Sequence, residues 1–114
     1  MVSKTEIESF LKINYHDIEV GKIYKHSKEW KQCWEKIVNK HGFLHFCYHN
    51  FNNPSTPIDM DSVFILANKE LDESSKKTII YTILYKEKML NRYFHFDFST
   101  LVFSKKPILK LVST

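Results

Sequence analysis

Residues 78–85 read TIIYTILY, and the reading of this run decides the fold. β-Branched and aromatic side chains dominate it, as in a strand. Alternation places Ile80 and Leu84 on one side and Ile79, Tyr81, Ile83 and Tyr85 on the other. Both sides are apolar, whereas an antiparallel sheet commonly turns one face to water. The second side therefore needs a cover: another part of the chain, a second copy or a partner.

Outward from this strand, DESSKK (72–77) is a turn that pairs it with residues 58–71. That segment reads two ways. Thr56-Pro57-Ile58-Asp59 resembles a capped helix start with proline at the first position, and Met60, Phe64, Ala67 and Leu71 fit one helical face. SVFIL (62–66) suits a buried strand, and the hairpin with 78–85 favours it. Downstream, KEKMLNR (86–92) reads as a turn region. RYFHFDFSTLVF (92–103) puts Phe94, Phe96, Phe98, Thr100 and Val102 on one face and Tyr93, His95, Asp97 and Ser99 on the other. SKKP (104–107) is a turn, and ILKLV (108–112) is an edge strand, because Pro107 cannot donate to a ladder. Farther upstream, FLHFCYHNF (43–51) alternates Leu44, Phe46 and Tyr48 with His45, Cys47 and His49, and NNPSTP (52–57) is a loop.

The N-terminal part is helical. Ser3 and Glu6 have capping-box spacing, and Ile7, Phe10 and Leu11 form one face of a short helix ending near Asn14. Residues 17–26 read as a turn with an extended piece. Ser27 is the N-cap of a second helix with an apolar stripe of Trp30, Cys33, Trp34, Ile37 and Val38 and with Gly42 at its C′ position. Lys28, Lys31, Gln32 and Lys36 take the opposite face, and Lys40 sits in the last turn. The order predicts an α+β single domain over 1–114: two N-terminal helices packed on an antiparallel sheet of about four to five strands. Phe46, Phe94, Phe96 and Phe98 would face Trp30 and Trp34.

Composition excludes several functions. The 114 residues carry a formal charge of +4 and contain two glycines, Gly21 and Gly42. Two glycines this far apart make neither GxGxxG nor a P-loop, both of which need glycine for close backbone approach to phosphate. A hydrophobic content of 43% with 26% charged residues is that of a chain with a packed core. No apolar run is long enough to span a membrane, and MVSKTEIESF carries charges where a signal peptide needs an apolar stretch. A cytoplasmic setting with Cys33 and Cys47 as reduced thiols is expected, with no cofactor.

Four constellations carry chemical meaning. His45, Cys47 and His49 share a strand face, His95 and Asp97 share another, and the five together form a candidate metal or Cys/His catalytic centre. Their spacing matches no established zinc signature, and ordinary strand residues read the same way. Asp59 and Asp61 could bind a divalent cation, or Asp61 could act with Asp97, but alternate aspartates before an apolar run are commonly turn or cap residues. Lys28, Lys31, Lys36 and Lys40 could contact phosphates, with Tyr81, Tyr85 and Tyr93 as stacking platforms. Against a sequence-specific reader stands the single arginine, Arg92, because base-edge recognition favours the guanidinium fork. Finally, Tyr81, Tyr85, Tyr93 and His95 on a sheet face, with the lysine-lined helix, suit an interface.

The expected function is a small non-enzymatic binding protein that engages a macromolecular partner, chiefly an acidic protein surface, through a Tyr/His-rich sheet face and the Lys-lined helix. A non-specific nucleic-acid binder and a metal-dependent or Cys/His enzyme are the alternatives, and a homodimer is compatible with the pattern. Small, glycine-poor, motif-free proteins are often accessory or inhibitory factors of mobile genetic elements, and that general tendency, not any residue here, adds such a role to the expectation. Six histidines would raise the charge from +4 towards +10 on acidification.

Overall fold

The computed structural model describes residues 3–41, 47–48, 56–59, 61–72, 74, 77–95 and 106–113; for 36–41, 47–48, 56–57 and 113 it describes the backbone alone. Helix α1 (Lys4–Leu11) begins at a full capping box: the Ser3 hydroxyl accepts from the Glu6 N–H at 3.2 Å, and the Ser3 N–H donates to the Glu6 carboxylate at 3.3 Å. The helix continues past the expected end as a π-helical turn, Lys12–His16. Strand β1 (Ile23–His26) follows, then α2 (Lys28–His41), β2 (Cys47–Tyr48), β3 (Thr56–Pro57), β4 (Phe64–Leu71), β5 (Thr78–Tyr85), β6 (Lys88–His95) and β7 (Leu109–Ser113).

The α+β class and the antiparallel five-stranded sheet, ordered β6-β5-β4-β1-β7, agree with expectation. The placement of the helices does not. Only α1 precedes the sheet, because residues 23–26 are an inner strand paired with both β4 and β7. Four residues carrying Lys25 and His26 have no apolar run of their own, so their strand conformation comes from partners distant in sequence. Residues 64–71 are a strand, as the hairpin argument favours. Residues 86–92 are not one turn region: the turn is Lys86-Glu87 alone, and β6 starts at Lys88. Thr56–Pro57, within the expected loop, pairs with Cys47–Tyr48 in a two-stranded ladder. The edge strand after Pro107 is present as β7. The expected positions of Phe46, Phe96, Phe98 and Gly42 lie outside the described residues.

The inner face of the sheet packs on the helices. Leu66, Ile79, Tyr81, Ile83, Leu90 and Phe94 from the sheet join Phe10 and Leu11 of α1 and Trp30, Cys33 and Trp34 of α2 in one buried cluster. Trp30 stacks on Trp34 at 5.7 Å between ring centroids and meets Phe94 edge-on at 5.4 Å. Arg92 also faces inward, its guanidinium 5.2 Å from the Trp34 ring.

Polar groups fix how the layers and ends meet. Ser27 caps α2 by accepting from the Trp30 N–H at 2.9 Å, and its hydroxyl donates to the Pro107 carbonyl. Buried Asn14 accepts from the Ile108 N–H at 2.6 Å and donates to the Lys106 carbonyl at 3.1 Å. The segment entering β7 is thus held by the π-helical turn and by the cap of α2. Both groups satisfy backbone atoms that would otherwise be costly to bury.

A bulge in β4 sets which side chains face where. Register shifts between Leu66 and Asn68, so Leu66 and Lys69 both point inward while Asn68 and Glu70 point outward. Lys69 then donates to the carbonyls of Tyr15 and Ile18 at 2.5 and 2.7 Å, with its ammonium 4.6 Å from the Tyr15 ring centre. This cation neutralises the carbonyl end of the first helical segment.

The β5–β6 turn stores strain. Lys86 and Glu87 have φ of 49° and 67°. A two-residue hairpin with both central residues left-handed favours Asn-Gly, and a side chain there costs about 1 kcal/mol per residue. The pair Lys86→Asn with Glu87→Gly is expected to stabilise the protein by about 1–2 kcal/mol. The measurement is urea unfolding: a higher midpoint at unchanged slope supports the assignment, and an unchanged midpoint contradicts it.

Candidate functional site

The face of the sheet away from the helices is built in rows, because cross-strand partners share a face. One row runs Ile23, Ile65, Leu84, Met89 across four strands. The next is Asn68, Thr82, Asn91, in which the Thr82 hydroxyl donates to the Asn91 amide oxygen at 2.7 Å. The third is Glu70, Ile80, Tyr93, and Thr78 with His95 follows. At the opposite end of the face Lys25 and Lys110 lie directly across from each other.

Within this mixed face, apolar side chains are exposed to solvent. Ile65, Leu84, Met89 and Tyr93 are 39%, 37%, 51% and 43% exposed. Between β4, β5 and β6 it is hollowed into a groove of about 410 Å³ lined by Glu70, Ile80, Thr82, Met89, Asn91 and Tyr93. An aligned aliphatic row across four strands is a costly surface to leave in water.

The chain matches no protein-family model, no curated protein and no solved structure. The geometry of this face and the chemistry of its residues therefore carry the functional argument.

The structure separates the residues read as one tyrosine-rich surface. Tyr81 is fully buried on the inner face, its ring 5.2 Å from Phe94, and so cannot contact a partner. This corrects the expectation, and the reason is side: of the two apolar faces of β5, the one carrying Tyr81 meets the helices. Tyr85 shares that inner face at the rim of the core, with its hydroxyl 3.4 Å from Ser62 and the Lys86 ammonium 5.2 Å from its ring. The Ser62 contact holds its phenol below the usual tyrosine range. Tyr93 and His95 do lie on the open face. His95 Nδ1 is 3.0 Å from the Thr78 hydroxyl.

The lysines of α2 lie across the molecule from this face. Lys28 is exposed and Lys31 is 3.6 Å from Asp61, both away from the buried Trp30–Trp34 stripe. The side chains of Lys36 and Lys40 are outside the described residues. The described lysines of α2 and the open face of the sheet thus lie on different layers of the fold. Asp59 is a turn residue whose carboxylate accepts from the Asp61 N–H at 2.8 Å.

Of the candidate metal ligands, His45, His49 and Asp97 lie outside the described residues, as does the Cys47 side chain. The backbone of β2 does approach β6 to within 8 Å between Cα atoms. Among the described residues no three His, Cys, Asp or Glu side chains gather. No helix among them is long and apolar enough to cross a membrane.

Sequence reading missed the aliphatic row as a unit. Ile23, Ile65, Leu84 and Met89 come from four strands, and their alignment depends on register. The alternation of Ile80 and Leu84 in TIIYTILY was the available signal.

Proposed function

We propose that this is a non-enzymatic interaction protein whose working surface is the open face of the sheet. The observation that supports this most is the exposed row Ile65, Leu84, Met89, continued by half-buried Ile23. Aligned aliphatic side chains on a rigid sheet bind by losing contact with water. Lys25 and Lys110, opposite each other at one end, repel when unpaired and call for a carboxylate on the partner. The partner is accordingly a protein with an acidic group beside an apolar patch. A chain of this kind acts by occupying a partner's surface, as an accessory or inhibitory factor does.

The test is capture from a nuclease-treated native lysate by the wild type and by Leu84→Lys with Met89→Lys. Both side chains already reach solvent, so the variant keeps the fold, which its thermal midpoint checks. Burying two such side chains contributes roughly 2 kcal/mol, so capture is expected to weaken about thirtyfold. Capture that the variant retains in full, or that nuclease alone removes, rejects this reading.

A further inference from the structure

The open face has a second end of opposite character, and its geometry is specific. Glu70, Ile80 and Tyr93 are successive cross-strand partners on β4, β5 and β6. Strands lie about 4.8 Å apart, so Glu70 and Tyr93 stand roughly 10 Å from each other as walls, with Ile80 as the floor between them. The Glu70 side chain is exposed; one of its oxygens accepts from the Asn68 amide at 3.3 Å. Among the described residues no lysine or arginine pairs with it. Tyr93 is 43% exposed.

A carboxylate on one wall, an aromatic ring on the other and an aliphatic floor suit one type of side chain. Arginine or lysine can lay its methylene stem on Ile80, pair its charge with Glu70 and set the same charge against the ring of Tyr93. Arginine fits better, because its planar head pairs with carboxylate and stacks on a ring together. Neutral or acidic side chains would leave Glu70 unmatched.

Resting on the reading of this face as an interaction surface, we infer that the Glu70–Ile80–Tyr93 end of the groove is a binding site for an arginine or lysine side chain on an extended segment of the partner protein. The spacing along β5 adds a second requirement. Leu84 lies four residues from Ile80, and Met89 four from Tyr93. Four residues of extended chain cover about 13–14 Å. A segment running along these strands therefore reaches both places when an aliphatic residue stands four positions from the basic one.

The probe is the peptide acetyl-Leu-Ser-Thr-Ser-Arg-amide, titrated into the isotopically labelled full chain and followed by backbone amide shifts. Its control replaces arginine with citrulline, which keeps the shape and removes the charge. The arginine peptide is expected to bind with a Kd of about 1 mM and to move the amides of Ile80, Met89 and Tyr93. The ion pair and the ring contact each contribute about two- to fivefold at such an open site, so citrulline is expected to bind about fivefold or more weakly. Glu70→Gln should weaken the arginine peptide about two- to fivefold, leaving it tighter than citrulline by the ring contact, and Tyr93→Leu should weaken it about threefold. Equal binding of the two peptides, indifference to Glu70→Gln, or shifts confined to other strands would each overturn the inference. So would no shift at about 5 mM peptide. If that happens while Leu84→Lys with Met89→Lys still abolishes partner capture, the sheet face stands as the interaction surface and only the basic side-chain site falls.

Discussion

Trp30→Ala is expected to lower the unfolding free energy by about 3–5 kcal/mol. Trp30 is 2% exposed and joins α2 to the sheet, stacked on Trp34 and edge-on to Phe94. Phe94 in turn packs on Tyr81. Truncation removes the buried surface of a whole indole from the layer interface and leaves a cavity, because the neighbouring rings are held by their own contacts. A domain of this size has roughly 5–15 kcal/mol in total, so the variant would be marginally folded. Trp30→Phe keeps most of the ring volume and is expected to cost less than half as much. Urea unfolding read by far-ultraviolet circular dichroism measures both, without relying on tryptophan emission. A cost below about 1 kcal/mol for Trp30→Ala would mean that α2 is not anchored through this residue.

The second large effect is acid sensitivity from one histidine. His26 is 4% exposed, across from Leu109 on β7 and 5.2 Å from the Phe64 ring. Burial, and secondarily the positive charge of Arg92, push its pKa down to about 3. The unfolded chain binds the proton near the ordinary value of about 6.5, and the folded chain resists it. Stability is therefore fully present above pH 6.5 and falls as pH drops from there towards 3, by about 1.4 kcal/mol per pH unit. His26→Phe removes this titration. The drop in unfolding free energy between pH 7 and 4.5 is expected to be about 2.7 kcal/mol larger for the wild type than for the variant. Parallel profiles would show that His26 is not kept neutral by the fold. The same burial corrects the charge expected on acidification: His26 stays uncharged in the folded protein across this range, so the folded chain cannot approach +10.

Both helices, the β4–β5 hairpin and the edge strand were legible because each carries a local signature. Ser3 with Glu6 and Ser27 with Trp30 are caps that chemistry over three residues defines. TIIYTILY announced a strand with two apolar faces, and both assignments survive: Ile79, Tyr81 and Ile83 are buried, while Ile80 and Leu84 face outward. Periodicity could not say which face would meet the helices, since both were apolar, and this is why Tyr81 belongs to the core and not to a surface. Nor could it show that Arg92, the single arginine, lies inward against Trp34.

What the sequence by itself determined was the α+β class, the ends of several elements and the absence of glycine-rich phosphate loops. These depend on neighbours within a few positions. Only the tertiary structure decided the placement of IYKH between β4 and β7, the side on which each tyrosine lies, and the alignment of Ile23, Ile65, Leu84 and Met89 into one row. The bulge at 66–68 shows the physical reason. One extra residue reverses the alternation, sending Lys69 inward to the helix carbonyls and Glu70 outward beside Tyr93. Local propensity leaves that choice open, and cross-strand register fixes it.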